Sequence, residues 1–199
     1  DRDLILLKKL KIDFLFLPTT NEIYNKKKLN RIKLTNSQKI LCAKFRKGHF
    51  EGVLNIMHRL VKLIKPKFIF MGEKDFQQLY LVKKFIESKY KSKIYPCKTI
   101  RNKNNLPFSS RNYLLSKKNL RKAGSISTFL KKIRITLKNH RFINDHLKII
   151  KKDLTNKFKI KIEYLEFRNK NNFIKIKNKN ENRLFIAYYI NNVRLIDNF

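Results

Sequence analysis

Cysteine is the first residue type that the sequence nearly lacks. The two cysteines, Cys42 and Cys97, lie far apart and form no CxxC motif and no Cys/His ligand spacing. The sequence therefore supports neither a disulfide framework nor a zinc site, and we expect no metal bound by such a cluster. We expect two buried free thiols in a reducing compartment, the cytoplasm.

Long apolar runs and acidic side chains are also scarce. No segment approaches the roughly 18 uninterrupted apolar residues of a membrane span, so we expect no membrane partner. Lys and Arg number 49 against 14 Asp and Glu, a formal charge of +35. A nucleic-acid-binding protein would gather such cations on one stripe, interleaved with aromatic side chains. Here the cations are spread from Lys8 to Arg194, which favours a solvated surface and makes nucleic-acid binding the alternative interpretation.

Glycine and proline are limited to four residues each, so their positions are informative. Gly48 and Gly52 fall four residues apart in the run FRKGHFEGV. We expect both to serve backbone conformations or close approaches that other residues cannot reach. The apolar positions after them recur at helical spacing and predict an amphipathic helix over 49–64, which ends before Pro66.

The centre of the chain predicts a buried strand that delivers polar groups to a sheet edge. The apolar run Phe68–Met71 stops at Gly72, and a helical pattern follows it. The first hundred residues then alternate between predicted helices (1–10, 49–64, 74–90) and predicted strands (12–18, 67–71, 92–100). Such alternation implies a parallel sheet, here the C-terminal half of a doubly wound, Rossmann-like α/β domain.

The pattern changes after Asn105. Two helices are predicted, followed by strand-like segments (helices 117–138 and 144–157; strands 159–167, 171–178 and 183–190). This part predicts a small α+β domain with two helices and a three-stranded antiparallel sheet. We therefore divide the chain into residues 1–105 and residues 106–199.

Two polar segments are candidates for phosphate binding. Gly72–Asp75 (GEKD) combines a strand-to-helix turn, free backbone N–H groups and the ammonium of Lys74. Its acids could equally be first-turn residues that the helix dipole favours. Ser109–Asn112 (SSRN) sets two hydroxyls beside a guanidinium, whose planar fork matches phosphate. The alternative is a polar loop whose serines cap the next helix.

Three further side chains are weaker candidates. Gln77 and Gln78 follow the same strand and could bind a substrate hydroxyl or carboxylate, although such pairs are more often surface residues. His49, with Arg46 nearby, could bind an anion or act as an acid or base, although a single histidine is more often structural. No Ser/His/Asp or Cys/His triad can be assembled from the sequence.

Taken together, these runs resemble the pantothenate synthetases (pantoate–β-alanine ligases). The family pattern RPGHFxGV, FGEKDxQQ and SSRN occurs here as RKGHFEGV, MGEKDFQQ and SSRN, in that order. The segment LFLPTTNEIYN and the terminal run VRLIDN are similar to further family segments. The resemblance spans the whole chain.

The resemblance implies an ATP- and Mg²⁺-dependent ligase, usually a cytoplasmic homodimer, in the pathway to pantothenate and coenzyme A. Such an enzyme condenses (R)-pantoate with β-alanine through pantoyl adenylate and releases AMP and pyrophosphate. This chemistry needs positioning and charge stabilisation rather than a covalent enzyme intermediate, which agrees with the missing triad.

The resemblance also implies roles for individual residues. Gly72, Glu73, Lys74 and Asp75 would lie on ATP, with Lys74 and Arg111 as the catalytic cations. The backbone of Ile100 would meet the adenine, and Phe108, Ser109, Ser110 and Arg111 would hold the phosphates. Gln78 would bind pantoate in a pocket lined by Val53, Ile56 and Met57.

The family's first strand, its HxGH phosphate loop and its first pantoate-binding glutamine would precede Asp1. We therefore expect poor catalysis by this polypeptide alone. A partial record of a longer gene, whose upstream sequence encodes HxGH, is favoured over the alternative of a decayed copy. The nucleic-acid alternative instead predicts cations on one face and binding with a steep salt dependence.

Overall fold

A computed structural model describes residues 2–24, 32–137, 143–175 and 181–199, without the side chain of Arg2. It contains seven α-helices in these ranges: α1 (Arg2–Lys9), α2 (Thr20–Ile23), α3 (Cys42–Phe45), α4 (His49–Ile64), α5 (Phe76–Lys89), α6 (Lys117–Leu137) and α7 (Ile143–Phe158). The strands of the same ranges are β1 (Phe68–Gly72), β2 (Lys93–Cys97), β3 (Lys161–Asn169), β4 (Asn182–Ile190) and β5 (Val193–Asn198).

Strands β1 and β2 form the predicted parallel sheet. They pair in register from Phe68 opposite Lys93 to Gly72 opposite Cys97, and α5 crosses between them. The Ile69 and Met71 side chains of β1 pack on the N-terminal hydrophobic cluster beneath α4 and α5. The turn after β1 therefore lies at the carboxyl end of a parallel strand, the edge where parallel sheets bind ligands.

The predicted buried strand over 12–18 is wrong. The segment forms no strand, and its apolar side chains are exposed, with Phe14 at 93% and Leu17 at 70%. An extended apolar run becomes a buried strand only where a neighbouring strand and a covering layer meet it. Among the described residues, the parallel sheet contains only β1 and β2, and neither pairs with this run.

The C-terminal part forms the predicted three-stranded antiparallel sheet, in the order β3–β4–β5. Its third strand is β5 (Val193–Asn198) rather than the predicted 171–178. Residues 171–175 form a turn and an isolated bridge between Lys175 and Arg168, and 176–178 lie outside the described residues. A two-residue turn after Ile190 brings β5 directly back onto β4, and this local pairing explains the difference.

Strand β4 joins two hydrophobic clusters. Leu184, Ile186 and Tyr188 face a cluster built with α6 and α7, and the alternate residues Phe185 and Ala187 face the N-terminal cluster of α4 and α5. The antiparallel sheet thus packs on helices α6 and α7 with one face and on the cluster of α4 and α5 with the other. The boundary placed at residue 105 stays a prediction.

Two smaller predictions are wrong in part. Gly48 adopts the left-handed conformation (φ 78°) at the start of α4, but Gly52 lies within that helix, where an added Cβ would meet no atom of the described residues within 4 Å. Cys42 is buried, whereas Cys97 is exposed. Among the described residues, no helix is long and apolar enough to cross a bilayer.

Candidate active site

The turn that follows β1 lies at the centre of the candidate site. Gly72 ends the strand, and Glu73–Asp75 form one 3₁₀ turn before α5 begins at Phe76. The Lys74 side chain is 21% exposed, and its ammonium lies 3.8 Å from the Asp75 carboxylate, which is half exposed. Lys74 lines two adjoining clefts, so one cation serves both.

The first cleft has about 400 Å³ of empty space and holds the predicted Arg46, His49 and Gln78 together with Lys74. Burial lowers the pKa of His49, and the charge of Arg46 lowers it further. Burial also lowers the pKa of Arg46, with the nearby Arg111 adding to the effect. The cleft thus sets the cations of Arg46 and Lys74 beside the carboxylates of Asp75 and Asp197.

The second cleft, of about 280 Å³, brings Lys74 together with Ser109 and Arg111. Ser109 Oγ accepts a hydrogen bond from the Arg111 backbone N–H, and Arg111 Nη1 donates to the carbonyl of Arg194 at 3.0 Å. The two predicted catalytic cations thus share one cavity, although they are 37 residues apart in the sequence (111 minus 74). A hydroxyl and two cations in one cleft can hold a polyphosphate.

Other predicted residues lie outside the walls of these two clefts. Ile100 and Phe108 are 70% and 63% exposed, and Ser110 is exposed as well. Val53 and Met57 pack on the N-terminal cluster, and their neighbour Ile56 is partly buried on α4. Their assignments to adenine, phosphate and pantoate stay predictions.

The structure separates the two neighbouring glutamines, of which the resemblance singled out Gln78. Gln77 is 6% exposed, accepts a hydrogen bond from the Ala43 backbone and donates to the carbonyls of Gln38 and Ile40. It fixes the segment before α3 against α5. Gln78 lines the first cleft and is free to meet a ligand.

Sequence reasoning missed a buried cluster beside the first cleft. Cys42 Sγ lies 3.0 Å from the Tyr164 hydroxyl, and Arg194 donates to both carboxylate oxygens of Glu163. Burial, then the adjacent Cys42 sulfur, raise the pKa of Tyr164. Burial raises the pKa of Glu163 but Arg194 outweighs it, so the net pKa is lowered. One helix and two strands, α3, β3 and β5, create this cluster from separate parts of the sequence, so no local pattern could have revealed it.

A second missed pair lies at the end of β5. Asp197 lines both clefts, and Asn198 lines the first. Both belong to the terminal run VRLIDN, which is the pattern that could have identified them. Among the described residues, no group of three or more His, Cys, Asp or Glu side chains could hold a metal ion.

The fold and these clefts define an α/β protein with a cationic, phosphate-compatible site at the carboxyl edge of a parallel sheet. The model of the protein family described as "Pantoate-beta-alanine ligase" matches residues 1–199. The bifunctional pantoate ligase/cytidylate kinase of Prochlorococcus marinus subsp. pastoris is 38% identical over 205 residues, which cover 99% of this chain and 39% of that protein. The pantothenate synthetase of Flavobacterium psychrophilum is 34% identical, covering 92% of this chain and 67% of the relative.

A solved structure agrees with these relatives. The pantoate-beta-alanine ligase of Francisella tularensis, complexed with beta-gamma ATP and beta-alanine, superposes with a TM-score of 0.76 at 34% identity; the match covers 100% of this chain and 68% of that one. The chain belongs to the pantoate–beta-alanine ligase family. It spans about two fifths of the bifunctional protein and about two thirds of the other two relatives. No comparison supports the nucleic-acid alternative.

Proposed function

We propose that the protein condenses (R)-pantoate with β-alanine at the expense of ATP, yielding pantothenate, AMP and pyrophosphate. The observation that carries the proposal is the cleft shared by Lys74, Ser109 and Arg111. Family membership supports the same reaction, and so does the Francisella tularensis ligase, whose structure holds beta-gamma ATP and beta-alanine.

The reaction has two steps in this proposal. The pantoate carboxylate attacks the α-phosphorus of ATP, pyrophosphate leaves, and pantoyl adenylate forms. The β-alanine amine then attacks the acyl carbon, loses a proton, and AMP leaves with the electron pair of the broken C–O bond. Neither step needs a protein nucleophile, so the residues act by positioning and by stabilising charge.

The two clefts divide the substrates between them. Ser109 and Arg111 in the second cleft bind phosphate oxygens, and Gln78 in the first cleft binds pantoate. Lys74 lines both clefts and stabilises the charge that develops on the transferring phosphorus. Neutral His49, with its lowered pKa, and Arg46 border the pantoate side.

The remaining predicted contacts complete the proposed site. Gly72, Glu73 and Asp75 lie on the nucleotide beside Lys74, and the backbone of Ile100 meets the adenine. Phe108 and Ser110 extend the phosphate-binding loop. Val53, Ile56 and Met57 form the apolar wall for pantoate.

Mg²⁺ fits this site as a companion of the nucleotide. The half-exposed Asp75 carboxylate beside Lys74 offers one oxygen ligand at the cleft. Mg²⁺ keeps several waters and needs one or two carboxylates besides substrate phosphates, so a dedicated protein cage is unnecessary. When bound, the ion would neutralise phosphate charge. We further propose that the protein is a cytoplasmic homodimer, as the family resemblance implies.

The proposal is tested on the purified protein at its full natural length. We expect AMP release from ATP that requires both pantoate and β-alanine. Lys74→Ala should lower that rate about 10²- to 10³-fold, the usual cost of losing one preorganised transition-state contact. Discontinuous AMP assays with each substrate omitted in turn measure both effects.

Lys152→Ala is the matched control, because this lysine is exposed on α7, away from both clefts. It should leave the rate unchanged. AMP release without β-alanine or pantoate would contradict the ligase reaction. Wild-type turnover by Lys74→Ala would remove Lys74 from the catalytic site.

A further inference from the structure

The end of β5 lies against the turn that carries Lys74. Asn198 is 5% exposed, and its Nδ2 donates hydrogen bonds to the carbonyls of Glu73 at 3.0 Å and Lys74 at 2.9 Å. Its Oδ1 accepts a hydrogen bond from Arg183 Nη1 at 2.6 Å. Both donors of the amide and its acceptor are thus engaged, two of them on the backbone of the turn.

The turn has little support of its own. Gly72 supplies no side-chain cap to the 3₁₀ turn, and Gly72 itself is exposed. Arg183 flanks the turn instead, 3.7 Å from the Glu73 carboxylate and 4.2 Å from the Phe76 ring centroid. The position of the turn is therefore set from the C-terminal sheet.

Asn198 is itself held rigidly. The Asp197 carboxylate accepts two hydrogen bonds from Arg101, at 2.7 and 2.9 Å, and another from Ser127. Arg101 also donates to the Asn198 carbonyl at 2.9 Å. A buried and fully paired network of this kind fixes the backbone from which the Asn198 side chain projects.

The same strand also holds the second catalytic cation. Arg111 donates to the carbonyl of Arg194, four residues before Asn198 on β5. Lys74 and Arg111 come from separate segments, but both are held by contacts with β5. Asn198 bonds to the turn that carries Lys74, and the Arg194 carbonyl accepts from Arg111. The spacing between them then depends on contacts with β5.

We propose that Asn198 is a positioning residue: its amide holds the Glu73–Asp75 turn so that Lys74 faces Arg111 across the shared cleft. This inference deepens the proposed ligase function and rests on it for the catalytic consequence. It acts through Lys74, because Asn198 bonds to the backbone carbonyl oxygens of the turn rather than to the Lys74 ammonium.

The first test measures the turn without any assay of activity. Hydrogen exchange of the amides over residues 74–78 should speed up about tenfold or more in Asn198→Ala, because the turn loses both carbonyl bonds. Asn182→Ala is the matched control. Asn182 is a similarly buried asparagine of the adjacent β4, and its side-chain amide has no hydrogen-bond partner among the described residues. Unchanged exchange in Asn198→Ala would overturn the proposal, even if the protein proves not to be a ligase.

The second test uses AMP release. Asn198→Ala should lower kcat about 10- to 10²-fold with little change in KM for ATP, since a misplaced group costs rate more than ground-state binding. In a Lys74→Ala background the same substitution should have almost no further effect. A full multiplicative loss in the double variant would show a general structural role and overturn the positioning role.

Asn198→Asp provides a second variant of nearly the same size, should Asn198→Ala fold poorly. It keeps the packing and the acceptor for Arg183 but cannot donate to the two carbonyls. It should reproduce the faster exchange over 74–78, and slow exchange in this variant would contradict the proposal. A protein that shows the exchange contrast but no AMP release refutes the ligase function while leaving the turn-holding role of Asn198 in place.

Discussion

Strands β1 and β4 are both strongly apolar, yet they meet different surroundings. On β4, Leu184 and Ile186 face one hydrophobic cluster while Phe185 and Ala187 face the other, and all four are nearly inaccessible. On β1, Ile69 and Met71 pack on a cluster, but Phe68 and Phe70 on the opposite face are 45% and 69% exposed. An apolar run thus favours burial, but the helices and strands packed around it determine which of its faces are covered.

The clefts lie where these two regions meet. Lys74 comes from the turn after β1, whereas Asp197 and Asn198 come from β5 of the antiparallel sheet. Asn198 of the well-covered antiparallel sheet holds the turn after the less covered strand β1 in place by two hydrogen bonds. Substitutions in the two regions should therefore differ in size and in kind.

The largest loss of stability is expected when the buried ion pair between Arg101 and Asp197 is broken. Arg101→Met should destabilise the protein by about 3–5 kcal/mol near neutral pH, because Asp197 is then a buried charge without its partner. Burial already raises the pKa of Asp197, and Arg101 acts in the opposite direction, so the variant's Asp197 pKa rises further. A raised folded-state pKa means that stability is retained at low pH and lost as pH rises through that pKa.

Urea unfolding of the Arg101→Met variant and of the wild type at pH 5 and pH 8 measures this difference. The destabilisation should be smaller at pH 5, where Asp197 can take up a proton. Arg121→Met, at an exposed position of α6, is the control and should change stability little at either pH. An equal loss at both pH values would contradict the charge argument.

The next largest loss of stability is expected on β4, whose two faces are both covered. Leu184→Ala removes a side chain with 0% exposure from the cluster of α6 and α7. It should cost about 2–5 kcal/mol, the range for large-to-small substitutions in a packed core. Chemical denaturation with an unchanged m-value is the measurement, and a loss below about 1 kcal/mol would show that this face is loosely packed.

The smallest effect is expected on the open face of β1. Phe70→Ala removes a larger side chain than Leu184→Ala, but one that is 69% exposed and contacts the Tyr95 ring at 5.6 Å between centroids. The cost should stay below about 1 kcal/mol, as for surface substitutions. A loss as large as that of Leu184→Ala would mean that this face is covered in solution, and the contrast between the strands would disappear.

Sequence patterns predicted the long helices well. The helix predicted over 49–64 is α4, and those predicted over 117–138 and 144–157 are α6 and α7, within one residue where the structure describes them. Helical periodicity is local, so one strip of sequence contains the information. The segments 12–18 and, as far as the structure describes it, 171–175 form no strand of a sheet, because a strand needs a partner that its own residues do not specify.

In the candidate site, too, local motifs predicted some features and only tertiary contacts determined the others. The motifs identified Lys74 and Arg111 as candidates, and the structure places both in one cleft. The resemblance singled out Gln78, but only contacts with residues 38–43 show that Gln77 has a structural role. The positions of Ile100, Val53 and Ile56 relative to substrates stay predictions.

By itself, the sequence determined the family, the order of helices and the residue types at the end of β1, since motif and periodicity are properties of neighbours along the chain. Tertiary structure alone decided which faces are covered, that β5 pairs with β4, and that Asn198 holds the Lys74 turn. The pairing of β5 with β4 depends on the turn after Ile190, whereas the hold of Asn198 on the Lys74 turn is a contact between residues more than 100 positions apart, which no local pattern encodes.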